Sequence, residues 1–230
     1  MKKFLSFFLA FKLYAAFPEY YYQIKNIKQQ KKAFVSILLP LIQKENNNIL
    51  KLREKIIQVF NDPYYLLNPD KIKFLAEIAK KYKIKDINNK KEFLIKIDKI
   101  PPSIALAQAA IESGWGKSRF VKVANNIYGH WEYSNKGIKP KSTYSHIKIN
   151  YSLRKFNSLE DSIKAYMLNL NRNPAYINFR KKRYLYRKLH KNFTGLDAAQ
   201  TLKNYSQLKE EYVKRVKNMI ILNKWQQFDK

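Results

Sequence analysis

Apolar side chains return every three or four residues along most of this chain, the spacing that turns one face of an α-helix toward a core. Ile49, Leu52, Ile56, Ile57 and Phe60 follow it, then Ile72, Leu75, Ala76 and Ala79, and later Ile163, Tyr166, Met167 and Leu170. Breaks fall between these runs at Asn61-Asp62-Pro63, Asn68-Pro69-Asp70, Pro101-Pro102 and Asn173-Pro174, where proline cannot continue a helix. Pro40 is expected to kink or restart the first long helix. Further helices are predicted around 91–97, from a Ser103 cap to Glu112, from about Ser158, over 175–189, over 196–203 and over 210–223. Between Trp131 and Phe156 the helical spacing is lost. Gly137 and Pro140 punctuate that stretch and Tyr144 to Ile149 partly alternates, which predicts a small β-hairpin or flap. The fold class is therefore mainly α with a minor β element.

One helix differs from the others. Ala107-Gln108-Ala109-Ala110-Ile111-Glu112 is apolar nearly all round, the mark of a buried central helix. It delivers a single carboxylate to its end, where Gly114 and Gly116 stop it. The C-terminal end of a helix carries partial negative charge and so disfavours a second one. Apolar surroundings also disfavour the ionised form. Both effects push the Glu112 carboxyl upward, toward the protonated state that glycosidic cleavage needs in order to protonate the leaving oxygen. Gln108 lies one turn earlier on the same face. It is placed either to orient the acid or to satisfy a buried polar group. Trp115 offers an apolar wall or a platform for a sugar ring.

Composition narrows the choices. There is no cysteine, which removes disulfides, thiolate metal sites and a cysteine nucleophile. The three histidines are scattered without metal-ligand spacing, so no metal or cofactor is expected. A net charge of +29 implies an anionic partner or surface. Its densest cluster, Arg180 to Lys188, reads as a solvated helix face, and no nucleic-acid-binding signature accompanies it. Met1-Lys2-Lys3 precedes a short apolar run ending at Phe11, which reads as an export signal or, failing that, as an N-terminal helix packed on the domain. The expected organisation is a leader or anchor at 1–17, a helical extension at 18–62 and a catalytic domain at 63–230. The expected location is the periplasm or cell envelope.

The stretch from Ala107 through Glu112-Ser113-Gly114-Trp115-Gly116-Lys117-Ser118, followed by Asn125-Asn126-Ile127-Tyr128-Gly129, resembles the glucosaminidase domains of bacterial peptidoglycan hydrolases, glycoside hydrolase family 73. Phe156 to Ser162, Asn169 to Tyr176 and Tyr205 to Val213 resemble the Bax-type branch of that family, as do Lys31 to Phe34 and Leu39 to Ile42. The resemblance covers most of the chain after about residue 30. It implies a lysozyme-like helical domain with a glycan groove and cleavage of β-1,4 bonds next to N-acetylglucosamine. It implies Glu112 as general acid and Tyr205 as the supporting tyrosine, with Tyr212 and Tyr176 as alternatives. It also implies a groove-lining loop bearing Asn126, Tyr128 and Trp131, with the amide reading sugar substituents and the aromatics stacking on the ring. Peptidoglycan strands are then the expected partner of a monomer. Anionic wall or membrane surfaces are a further contact, and no specific nucleic acid is expected.

Many relatives carry a second acid on the flap, yet no Asp or Glu occurs between Glu132 and Glu160 here. The two-carboxylate scheme lacks its partner. Attack by the substrate's own 2-acetamido oxygen is the expected substitute. A lytic transglycosylase and a non-catalytic wall- or nucleic-acid-binding module are the competing readings.

Overall fold

The computed structural model describes residues 16–132, 137, 152–202 and 209–230. Ten helices lie among them: α1 (Glu19–Gln23), α2 (Ile27–Asn61), α3 (Pro69–Tyr82), α4 (Lys90–Lys96), α5 (Pro102–Ser113), α6 (Arg119–Ala124), α7 (Leu159–Arg172), α8 (Ile177–Lys188), α9 (Gly195–Ala199) and α10 (Lys209–Leu222). Two-residue strands β1 (Trp131–Glu132) and β2 (Ser152–Leu153) pair antiparallel, Trp131 opposite Leu153. The fold is mainly α, with this one small sheet among the described residues. The alternation at 144–149, most of the expected flap and residues 1–15 fall outside the described residues. Among the described residues no helix is long and apolar enough to cross a membrane.

The centre is α5. Every residue from Pro102 to Ala110 is buried, as its all-round apolar character requires. Around it pack α2, α9, α10 and a closing 3-10 turn, Trp225–Phe228. The start of α5 is fixed by the other end of the chain: Asp229 accepts from the Ser103 amide, the Ser103 hydroxyl and the Gly195 amide. Ser103 is thus not the cap expected of it. Pro101 occupies that position, and the Ser103 hydroxyl serves Asp229 instead.

Two points concern the N-terminal part. Helix α2 runs unbroken through Pro40, with Asn46, Asn47 and Asn48 inside it. Pro40 and Ser36, whose carbonyl loses its helical donor there, are both exposed, so water can serve that carbonyl. The helix of the 18–62 extension also contributes to the core. The buried row Phe34, Leu38, Ile42, Ile49 and Ile56 belongs to the common core, and α2 packs on both α5 and α7. Phe17 joins it, stacked on Tyr21 and Phe34. Gly116, in left-handed backbone at φ +72°, leaves room for the Phe17 ring, which a Cβ there would meet at 2.7 Å.

A buried ionic knot joins α2, α4 and α8. Asp98 is 1% exposed and accepts two bonds from Arg187, at 2.5 and 2.6 Å, with Arg53 at 3.7 Å. Arg183 donates to the backbone carbonyls of Asp98, Lys99, Ile95 and Lys96 and to Asn171 Oδ1. Part of the Arg180–Lys188 run read as a solvated face is therefore inside: Arg180 and Arg183 are buried. Burial lowers the Arg183 guanidinium to about 10, against the pull of Asp98.

Candidate active site

A groove of about 1160 Å³ lies over the end of α5. One wall is the polar face of α7, where Asp161, Lys164, Ala165, Leu168, Asn169 and Arg172 recur at helical spacing. The opposite face of α7, with Ile163, Tyr166, Met167 and Leu170, is buried. The middle of α2 and the C-terminal end of α3 form a second wall through Glu45 and Lys81 to Lys83. The loop Tyr128 to Trp131 and the segment Arg154 to Asn157 form a third.

Glu112 reaches this groove from the last turn of α5, where Gly114 closes the helix in left-handed backbone. Its side chain meets solvent in the groove while protein surrounds it on the other sides. Burial raises its carboxyl above the ordinary range, against a hydrogen bond from Tyr212 and the positive charge of Arg215. Tyr212 donates to Glu112 Oε1 at 2.9 Å. Gln108 Nε2 donates to the Tyr212 hydroxyl at 2.9 Å, and the Tyr166 hydroxyl donates to Gln108 Oε1 at 2.6 Å. The chain of donors runs one way and ends on Oε1. The other oxygen, Oε2, faces Gly129, whose Cβ position would lie 3.9 Å from it. Because Oε1 is occupied as an acceptor, the acid proton belongs on Oε2.

Placement of the residues singled out in the sequence is mixed. Glu112, Tyr128, Trp131 and Tyr176 line the groove. Tyr128 stacks on Tyr166 with ring centres 3.9 Å apart, and Trp131 is half exposed. Tyr176 is bonded to the Asn169 side chain, and its hydroxyl is raised by burial. Gln108 is fully buried and touches no groove surface, so it holds Tyr212 rather than a sugar. Tyr212 is likewise buried, and its hydroxyl serves Glu112. Asn126 is used up inside its own loop: Nδ2 donates to the carbonyls of His130 and Arg154, and Oδ1 accepts from the His130 amide. It shapes the loop and has no amide group left for sugar. Trp115 turns away from the groove into a cluster with Phe34 and Trp225, under Lys31. Its φ of +57° follows Gly114 in the helix stop and directs it there. Tyr205 lies outside the described residues.

Two features escaped the sequence reading. Tyr166 looked like one more apolar-face residue, and only its hydroxyl, buried and needing a partner, hinted otherwise. Arg215 stands one turn past Tyr212 on α10, a spacing that could have suggested it. His130, near enough to Glu112 in sequence to be expected at the groove, does line it, with its imidazole lowered to about 4 by burial first and then by Arg154, so it is neutral at ordinary pH. Its Nδ1 and the Tyr128 hydroxyl are enclosed without a protein partner among the described residues.

A mainly helical domain that carries a tyrosine-held carboxyl into an open groove suits a glycoside hydrolase, whose chemistry needs a general acid. Residues 91–224 match the glucosaminidase family model, described as mannosyl-glycoprotein endo-beta-N-acetylglucosaminidase, and the chain belongs to that family. It is of the Bax type within it. Among curated proteins it is similar to Protein bax of Escherichia coli (strain K12), 34% identical over 189 residues that make up 80% of this chain and 66% of that protein. The match thus spans a little under two thirds of the relative's length. No solved structure matches the chain.

Proposed function

We propose that this chain is an exported peptidoglycan hydrolase that cleaves the β-1,4 bond following N-acetylglucosamine, with Glu112 as general acid. The observation that carries the reading is the Glu112 carboxyl itself: raised, directed into the groove by Oε2, and held from behind by Tyr212.

In the first step the Oε2 proton passes to the glycosidic oxygen as its bond to the anomeric carbon breaks. The 2-acetamido carbonyl oxygen of the same sugar forms a bond to that carbon from the opposite face. In the second step water attacks the anomeric carbon and gives its proton to the Glu112 carboxylate, and the acetamido group is released. Two displacements leave the anomeric configuration unchanged. Substrate assistance is favoured because, among the described residues, a hydrogen bond from Tyr212 and the positive charge of Arg215 act on Glu112 and no carboxylate does. Arg215 also stabilises the carboxylate once the proton has left. Trp131 and Tyr176 offer aromatic faces to the sugar rings.

Digestion of purified peptidoglycan by the full chain, beside Glu112→Gln, tests this. After borohydride reduction, fragments ending in reduced N-acetylglucosamine, absent with the variant, are expected. Anhydro-muramic ends would mean a transglycosylase, and fragments from the variant would remove Glu112 from the chemistry.

A further inference from the structure

Charge in the groove is unevenly compensated. Lys164, in the α7 wall, is bound to Glu160, which also takes Lys44. At the mouth where the C-terminal ends of α3 and α7 meet, Lys81, Lys83 and Arg172 line the groove together. Arg172 Nη1 donates to the Lys81 carbonyl at 3.4 Å, which ties the two helix ends. Among the described residues no carboxylate pairs with any of the three.

A cation in a last helical turn offsets the helix dipole. That explains Arg172 on α7 and one lysine on α3. However, α3 also has Lys80 in its last turn, outside the groove, and Lys83 lies past the helix end in left-handed backbone. Three unpaired cations gathered on one groove mouth exceed what the dipoles require. They face an open cleft that continues to Glu112.

We propose that this mouth binds free carboxylates on the substituents of the glycan strand, so that the protein selects strands carrying acidic peptides over neutral or amidated ones. The proposal rests on the hydrolase reading above and specifies its substrate. Arg172 has the planar fork that grips a carboxylate in two bonds, while Lys81 and Lys83 act as point charges. The carboxylates lie on the branches and the scissile bond in the backbone, so this contact fixes which length of strand lies across Glu112.

The test is calorimetric binding to the full chain carrying Glu112→Gln, which separates binding from cleavage. The ligands are a soluble strand fragment with its peptides intact and the same fragment with its peptide carboxylates amidated. The acidic fragment is expected to bind about tenfold tighter at low salt, each partly exposed charge pair contributing up to about fivefold. That ratio should fall toward one in 1 M salt and on adding Arg172→Gln with Lys83→Gln. Lys83→Gln alone, at a side chain that makes no hydrogen bond or ion pair among the described residues, should lower it partway if the double variant melts early. Equal affinities, no binding of either fragment, or a ratio unchanged by these substitutions overturns the proposal. Cleavage by the Glu112 chain is read in parallel. If neither fragment is cut while the affinity ratio holds, the hydrolase reading fails and carboxylate recognition stands. If both are cut and bound alike, the reverse is true.

Discussion

Tyr212 Oη stands 2.9 Å from Glu112 Oε1, and the proton on that bond is the tyrosine's. Gln108 makes this so. Its amide nitrogen already fills the tyrosine's acceptor side, and its amide oxygen is fixed by Tyr166. The acid is therefore oriented by a polar chain rooted in the core, and not by neighbours in the groove.

Glu112→Gln should abolish cleavage while leaving the fold intact. General acid catalysis is worth about 10²–10⁴-fold, so reducing-end release from peptidoglycan should fall at least that far. Matched circular-dichroism melts would show that only chemistry was lost.

Tyr212→Phe should shift the pH dependence of cleavage. The acid works protonated, so activity falls as pH rises through the Glu112 pKa. Burial raises that pKa and the Tyr212 bond lowers it. Removing the bond should move the alkaline limb to higher pH while lowering the maximal rate. A limb that stays in place or moves down would show that Tyr212 does not act on Glu112. The variant should also lose about 1–3 kcal/mol of stability, because Gln108 Nε2 is left unpaired in the core.

Tyr166→Phe touches nothing in the groove through its hydroxyl, yet it frees Gln108 Oε1 to turn. A loss of about 1–3 kcal/mol in urea unfolding is expected from the unpaired amide oxygen. The rate on peptidoglycan should fall less than for Tyr212→Phe. Equal rates for Tyr166→Phe and the unmodified chain would show that the relay ends at Gln108.

Asp98→Asn should be among the most damaging substitutions remote from the groove. Breaking a buried ion pair from one side costs about 3–5 kcal/mol, and here Arg53 and Arg187 both lose their carboxylate partner. Burial alone would raise the Asp98 pKa. Arg183, the Arg187 hydrogen bond and Arg53 outweigh it, and the carboxyl sits below its ordinary range. Its contribution is present above the unfolded pKa and is lost as pH falls through the lower folded value. Acid melts should therefore show an unfolding component at low pH that Asp98→Asn removes.

Phe17→Ala should cost about 3–5 kcal/mol, since the ring is 3% exposed and packed on Tyr21 and Phe34. A thermal melt unchanged by the substitution would mean that the folded unit begins after residue 17.

Much of the acid's setting was legible in the sequence. The all-apolar run before Glu112 could only be a central helix, and Gly114 and Gly116 had to end it, so a carboxyl at the end of a buried helix followed from local chemistry. The partners of that carboxyl were not legible in the same way. The chain has 17 tyrosines; the family motif offered Tyr212 only as an alternative to Tyr205, and nothing local distinguishes Tyr166 from the rest. Asn126 and Trp115 fit a family motif, but motifs do not say which way a side chain points. One closed its own loop and the other joined the core.

The sequence by itself determined the helices, their breaks, the central position of α5 and the chemistry of its last carboxylate, because periodicity, proline and glycine act within a few residues. Tertiary structure alone decided that Tyr212, a hundred residues away, holds Glu112. It also decided that α2 belongs to the core, that Arg183 is buried, and that Lys81 and Lys83 share a groove mouth with Arg172. Those outcomes depend on which helices pack together, and a local pattern specifies that a face must be covered without specifying by what.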